Sequence, residues 1–442
     1  MMGQGQQTFK TLFGSQLMTI ETNKLALNAD TSVLIRYGAT TLLSTFVKKK
    51  QQAQTPLFAI QLQASTTAFD WALENAKLQQ LPWTHQLNQV AGQAMAINNL
   101  VLTTAQPTAA GLAAVFGSSL AAYLADALDT PLVAVHVARV GDKFILNPTS
   151  AQTQQATLEL TLVGQQTGLL LLNGWADNLT TATILAAVAF GQQAIARFCG
   201  DQITIKSALK GQGVKTNRAN MPTIVPQALQ QPLSMTTEFG PGFAGTGLLQ
   251  QGRDQVLSRI RPEKSTKTAQ LQMTYRLPDF AFDKRTLRTP RAVQAQLDQH
   301  FLTQILQSVL PKASVETLQL DTQVLTASGG HLAAAVTANT LALLAAAVPL
   351  KRSVVAVALN IFQQQSTLKL GVLPQNAKSL GQLTVAGTYR GVTAITGASP
   401  AGLFSQELLQ NALAEAQSAR QQLLATLAQT LGQVLPIEDD SR

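Results

Sequence analysis

The feature that most restricts this chain is that its two halves can be laid over one another. LTLVGQQTGLLLLNG at 160–174 and LTVAGTYRGVTAITG at 383–397 share Leu-Thr and three glycines at the same spacing. Upstream, LIRYGATTLLSTF at 34–46 matches LLQQGRDQVLSRI at 248–260, with Gly38 opposite Gly252 and Ser44 opposite Ser258. Between these stretches each half has a helix of small residues, a proline (Pro131, Pro349) and an alternating strand, VAVHVARV or VVAVALNIF. Each half closes on an Ala-rich amphipathic helix, near 181–198 and 406–434. Three matches in one order point to duplication. A chain of 442 residues exceeds the usual span of one core, so two copies also suit its length.

The periodicity of each half predicts strand, strand, helix, strand, strand, helix, with polar turns between. Glycine-punctuated strands with packed helices give an α+β layered sandwich. The expected division is a first core at 1–204, a polar, Pro-containing linker at 205–232, and a second core at 233–442. Hydrophobic content of 46% against 12% charged favours a well-buried chain. The single Cys199 excludes a disulfide framework or a cysteine metal cluster and suits a reducing cytoplasm. The N-terminal residues lack the apolar core of a signal peptide, and the apolar run 332–350 is broken by Thr337, Asn339, Thr340 and Pro349, so no membrane association is expected.

The formal net charge is +9, and it is concentrated. From Lys206 to Arg291 there are fourteen basic and five acidic residues, whereas no arginine lies between Arg36 and Arg139. Such a balance points to acidic partners, nucleic acid first among them. Most other chemistry-bearing types read as structural. His85, His136 and His300 have no carboxylate or cysteine at ligand spacing. Trp71, Trp83 and Trp175 read as core or interface, and Lys48-Lys49-Lys50 as the end of a strand and a solvated hairpin turn. SGGH at 328–331 ends an apolar run and starts a helix, so its backbone N–H groups could hold an anion. Ser118 and Ser119 could supply a similar hydroxyl pair, or simply a capped helix start.

A duplicated α+β core with VARVGDKFILNPT at 137–149, AVAFG at 187–191, MTYRLPDFAF at 273–282, AVPLK at 347–351, and SLG followed by TVAG at 379–387 resembles polynucleotide phosphorylase. The resemblance covers nearly the whole chain. It implies two RNase PH-like β-α-β-α cores of the ribosomal-protein-type sandwich. It also implies a homotrimeric ring around single-stranded RNA and magnesium-assisted phosphorolysis from the 3′ end. The family's KH and OB-type modules do not occur in these 442 residues, and its interdomain helical region is reduced to the linker.

The resemblance also implies losses at the site. The positions that carry the family's phosphate-binding serines are Gly330 and His331, which leaves Ser328, Gly329, Gly330 and His331 as backbone phosphate candidates. Ala292 and Val293 stand at the paired arginines. Lys378 stands at the first metal-binding aspartate, the second falls in a gap, and Thr384 replaces the nearby lysine. No Asp or Glu occurs from Thr322 to Gln406, so no magnesium is expected to be held. STTAFDWALENAKLQQLPWTHQ at 65–86 contains no arginine, so the first core's RNA clamp is missing too. Lys284, Arg285, Arg288 and Arg291 fall where the family faces RNA and are the binding candidates. The expectation is a cytoplasmic, weakly RNA-binding, ring-forming scaffold without catalytic residues. The alternatives are an active exoribonuclease with relocated groups and a non-catalytic subunit that assembles with an active paralogue.

Overall fold

The computed structural model describes residues 7–50, 57–64, 69, 71–88, 93–210, 224–226, 233–237, 243–264, 271–282, 291–311, 316–364, 367–374, 377–432 and 435. The chain forms two compact units. The first comprises Met1–Leu172, Ala186–Met221 and Ser399–Ser405; the second comprises Asn173–Leu185, Pro222–Ala398 and Gln406–Arg442.

In chain order the first half contains β1 (Gln7–Phe13), β2 (Gln16–Thr22), β3 (Thr31–Tyr37), β4 (Thr40–Lys50), β5 (Leu57–Ala64), α1 (Trp71–Gln80), α2 (Trp83–Gln86), β6 (Gln93–Thr103) and α3 (Pro107–Leu124). It continues with β7 (Val133–Val140), β8 (Lys143–Leu146), α4 (Ser150–Thr153), β9 (Leu158–Gln165), β10 (Gly168–Leu179) and α5 (Thr181–Lys210). The second half contains β11 (Ile224–Pro226), β12 (Leu233–Thr236), β13 (Gly245–Gln251), β14 (Asp254–Lys264), β15 (Leu271–Arg276) and α6 (Arg291–Val309). Then come β16 (Glu316–Thr326), α7 (His331–Ala345), β17 (Val355–Gln364), β18 (Thr367–Gly371), β19 (Ser379–Gly387), β20 (Val392–Ala398) and α8 (Gln406–Leu431). Each half is richer than its sequence pattern, which gave no sign of β1, β2, β5 or α1. The closing helix of the first half runs to Lys210, past the expected end near 198 and past residue 204, where the linker was placed.

The first unit opens with a sheet of order β1-β2-β3-β4-β6-β5, mixed because β5 and β6 are parallel. The second has β12-β13-β14-β16-β15, with β15 and β16 parallel, and a further run β11-β18-β17-β19-β20. Within each unit one helix is buried between two sheets: α3 against β3, β4 and β7, and α7 against β13, β14 and β17. A helix covered on both faces needs small side chains all round, which is why both are Ala-rich and contain no Asp, Glu, Lys or Arg. α3 and α5 are long and apolar enough to cross a membrane, but 72% of the α3 window is buried inside the protein.

The duplication is visible in detail. Gly38 and Gly252, aligned from sequence, both turn their hairpins with left-handed backbone, at φ 56° and 63°. In the β9–β10 hairpin a side chain at Gly164 would strike the Gly168 carbonyl, and in β19–β20 one at Gly387 would strike that of Gly391. The aligned serines hold matching buried polar trios. Ser44 on β4 and Ser118 on α3 donate to the side-chain amide oxygen of Asn99 at 2.6 and 3.0 Å. Ser258 on β14 and Thr322 on β16 donate to that of Asn339 on α7, both at 2.6 Å. A buried hydroxyl is costly unless paired, so each trio fixes the register of helix on sheet.

Candidate functional site

β16 ends at Thr326, and Ala327 makes a parallel bridge to Phe282 before the chain turns through Ser328, Gly329 and Gly330 into α7. Gly329 has φ 109°, a conformation that only glycine adopts at little cost. The turn has the anion-holding geometry read from sequence, and an anion is already in it. The Ser328 amide donates to Asp254 Oδ1 at 2.6 Å, the Ser328 hydroxyl to Oδ2 at 2.9 Å, and the Gly330 amide to Oδ2 at 3.0 Å. Asp254 begins β14 directly after the Gly252 turn and is 6% exposed. The donors proposed for phosphate at Ser328 and Gly330 are therefore spent on a carboxylate of the same chain.

His331 is the first residue of α7, and its side chain is largely buried. Its side chain is 13% exposed, its ring meets Phe282 edge-on at 5.5 Å, and Nε2 lies 3.5 Å from Asp298 Oδ2 on α6. Burial opposes the charged imidazole, but pairing with Asp298 and the charges of Asp298 and Asp254 outweigh it, so its pKa lies above the ordinary histidine value. Gln294 donates to the other Asp298 oxygen at 2.6 Å. Tyr275 of β15 is buried beside this cluster, and burial first, then Asp298 and Asp254, push its phenol well above its usual range.

A cleft of about 180 Å³ opens beside the turn, bordered by Arg253, Asp254, Ser328, Gly330 and Asn360 among others. Asn360 on β17 accepts from the Ser379 hydroxyl at 3.2 Å. The residues expected at the family's catalytic positions bring no carboxylate or arginine to this cleft. Ala292 and Val293 lie in the first turn of α6, Lys378 is exposed, and Thr384 is buried within β19 opposite Ala358. These residues do not fit a bound magnesium ion. The carboxylate at the cleft, Asp254, already accepts three hydrogen bonds, Lys378 is a cation, and no group of three His, Cys, Asp or Glu among the described residues could hold a metal.

Of the RNA candidates, Lys284, Arg285 and Arg288 lie outside the described residues. Arg291 starts α6 with its guanidinium 5.6 Å from the Phe282 ring centre. Two other expectations are corrected. Ser118 and Ser119 are neither phosphate ligands nor a helix start: they lie deep in α3, where Ser119 joins Gln202 to the Leu132 amide. His136 lies beside Glu159, at 3.1 Å and one strand away, a pair that spacing along the sequence does not show. Lys48 lies within β4 and caps the α3 end through the Ala125 carbonyl at 3.0 Å, so it is not a solvated turn. Asp254 and Asp298 went unnoticed because they are distant in sequence. The alignment already held a signal, since it puts Asp254 opposite Thr40 of the first copy.

The description "3′ exoribonuclease family, domain 2" matches residues 130–194, and "3′ exoribonuclease family, domain 1" matches residues 230–349. The polyribonucleotide nucleotidyltransferase of Streptococcus equi subsp. equi is 23% identical over 550 residues, covering 98% of this chain and 77% of the relative. That of Bacillus licheniformis is 23% identical over 546 residues with the same coverage, and that of Enterococcus faecalis is 28% identical over 222 residues, 46% of this chain and 32% of the relative. Among solved structures, rice (Oryza sativa) Rrp46 aligns at a TM-score of 0.37 and 19% identity, over 46% of this chain and 96% of that chain. The chain thus carries both domains of the 3′ exoribonuclease (RNase PH) family and has polyribonucleotide nucleotidyltransferases as homologues over nearly its whole length.

Proposed function

We propose that this chain is a polynucleotide-phosphorylase-like protein of RNA metabolism that no longer performs phosphorolysis. It acts as a homotrimeric, weakly RNA-binding scaffold in the cytoplasm. The observation that carries this reading is Asp254, which occupies the amides of Ser328 and Gly330. Phosphate entering that turn would compete with a fixed negative charge for the same donors. Two unit charges about 4 Å apart repel by about 4 kcal/mol at an effective dielectric constant of 20. Phosphoryl transfer depends on positioning the phosphate and neutralising its charge. A carboxylate here works against both, and Ala292, Val293, Lys378 and Thr384 supply no replacement acid or arginine.

The test is incubation of the purified chain with labelled RNA, inorganic phosphate and magnesium, with chromatography for nucleoside diphosphates. No release above a protein-free control is expected, together with a trimer mass by light scattering at micromolar concentration. Phosphate-dependent diphosphate release that co-purifies with the chain would overturn the loss of chemistry. A monomer mass would overturn the ring.

A further inference from the structure

The two copies share a backbone but differ in the charge on one face of their first sheets. Ser44 and Ser258 are equivalent by alignment and by their buried trios, so the strands can be compared position by position. Thr45 corresponds to Arg259 and Val47 to Arg261. On the neighbouring strand Asn98 pairs with Thr45 as Asp321 pairs with Arg259. One strand further, Gln63 pairs with Leu100, and Arg276 occupies the same place opposite Gln323. Where the first unit has Thr45, Val47, Asn98 and Gln63, the second has Arg259, Arg261, Asp321 and Arg276.

The neutral version needs no charge to hold together. Gln61 donates to Asn98 Oδ1 at 2.5 Å, and Thr45 to the Asn98 carbonyl at 3.4 Å. In the second unit Arg259 and Arg276 both reach Asp321, at 2.6 and 3.3 Å. One aspartate thus faces three arginines among the described side chains of this face. Surface pairs of this kind add little stability, and the first copy shows that the sheet forms without them. The excess charge remains open to solvent: Arg261 is exposed and the Arg276 side chain is 55% exposed. The guanidinium of Arg261 lies 4.2 Å, and that of Arg259 5.0 Å, from the centre of the Phe243 ring. This holds two cations on adjacent same-face positions of β14, roughly 7 Å apart along the strand.

We propose that this face, Arg259, Arg261 and Arg276 beside Phe243, is a contact surface for the backbone of single-stranded RNA. The inference rests on the reading of the chain as an RNA-metabolism protein and locates where it touches RNA. Guanidinium forks match phosphate oxygens, and their planes accept stacked bases, a combination that recognises a single strand without reading its sequence. A flat strand face with cations on alternate residues follows an extended polyanion.

The experiment grafts the first copy's chemistry onto the second: Arg259→Thr, Arg261→Val, Arg276→Gln and Asp321→Asn together. Binding of a fluorescent oligouridylate is followed by anisotropy across a salt series, with circular dichroism and melting as folding controls. Each single-strand phosphate contact contributes about 0.7 to the slope of log affinity against log salt, so losing three lowers it by about 2. Affinity at low salt is expected to fall at least about tenfold. Arg261→Val alone leaves both Asp321 pairs in place and should lower the slope by about 0.7 even if the fourfold variant is unstable. If the unmodified chain binds and both variants keep its affinity and slope, the surface is refuted while RNA binding stands. If the unmodified chain binds no oligouridylate, the RNA-binding reading itself fails and this surface fails with it. Equal displacement of the probe by polyglutamate would overturn RNA as the occupant in favour of an acidic peptide.

Discussion

Replacing Asp254 by alanine tests whether the carboxylate is the resident anion of the α7 turn. The substitution removes the acceptor of three hydrogen bonds, from the Ser328 amide, the Ser328 hydroxyl and the Gly330 amide. Bonds to an ionised acceptor are worth roughly 1.5–3 kcal/mol each, so about 9 kcal/mol is the ceiling. The turn borders a cleft, and water can reach the freed donors, so the expected loss is about 3 kcal/mol. The variant should then gain what the native chain lacks, an anion site at the amides of Ser328 and Gly330. An ion at ten times its dissociation constant restores about 1.4 kcal/mol, or on the order of 3–6 °C in melting temperature for a unit of this size. Thermal melts in phosphate, against chloride at matched ionic strength, should show this shift in Asp254→Ala and not in the native chain. Asp254→Asn is a useful companion, because its amide adds a donor to a turn that needs acceptors, and it should be destabilised without gaining the full phosphate effect. Equal phosphate stabilisation of native chain and Asp254→Ala would falsify the idea that the carboxylate fills the site.

Three further outcomes follow from other parts of the molecule. His331 has a folded pKa above the ordinary value near 6.5, so its pairing with Asp298 contributes fully below about pH 6.5 and is lost as pH rises through the folded value. Melting temperature should therefore decline from about pH 6 to pH 8, and His331→Gln should flatten that decline; an unchanged profile would show that the pair does not titrate. Burial pushes the Cys199 thiol up to about 12, so maleimide should label it only after denaturation, and rapid native labelling at neutral pH would contradict its placement. Gly387→Ala would drive a methyl group into the Gly391 carbonyl and should cost roughly 1–3 kcal/mol by chemical denaturation, with no loss at all counting against the hairpin geometry.

Much of the architecture was legible because duplication makes each half a control for the other. The hairpin glycines Gly38 and Gly252 were aligned from sequence and share one backbone conformation. The small residues of α3 and α7 announced helices with no solvent face, and both are covered by sheets. Other elements left no pattern. β1 shows little apolar alternation because much of it faces solvent, and α1 has too weak an apolar stripe to announce a helix. The site was harder for a different reason. The acid-free stretch 322–406 excludes a local ligand set, but Asp254 reaches the turn from 74 residues away and Asp298 reaches His331 from the neighbouring helix. Local spacing cannot report a contact that only the sheet and helix packing create.

What the copies kept and what they changed separate scaffold from chemistry. The buried trios tolerate exchange of their members, since the amide sits on strand β6 in one copy and on helix α7 in the other, as long as every carbonyl oxygen finds its hydroxyls. That is the behaviour expected of groups whose cost is set by burial, where any paired arrangement will do. Where pairing is kept, charge is still free to differ between the copies. Thr40 of the first copy shares a hydrogen bond with Thr104 at 2.9 Å, a neutral contact, while Asp254 brings a full charge to the equivalent place in the second. Thr45, Val47 and Gln63 of the first copy stand where the second has Arg259, Arg261 and Arg276. The second unit therefore gathers negative charge inside, at Asp254 and Asp298, and positive charge outside, on the β14–β16–β15 face. A turn closed by a carboxylate resists free phosphate while the outer arginines attract a polyanion, and this sign pattern is the one the proposed RNA-holding role calls for.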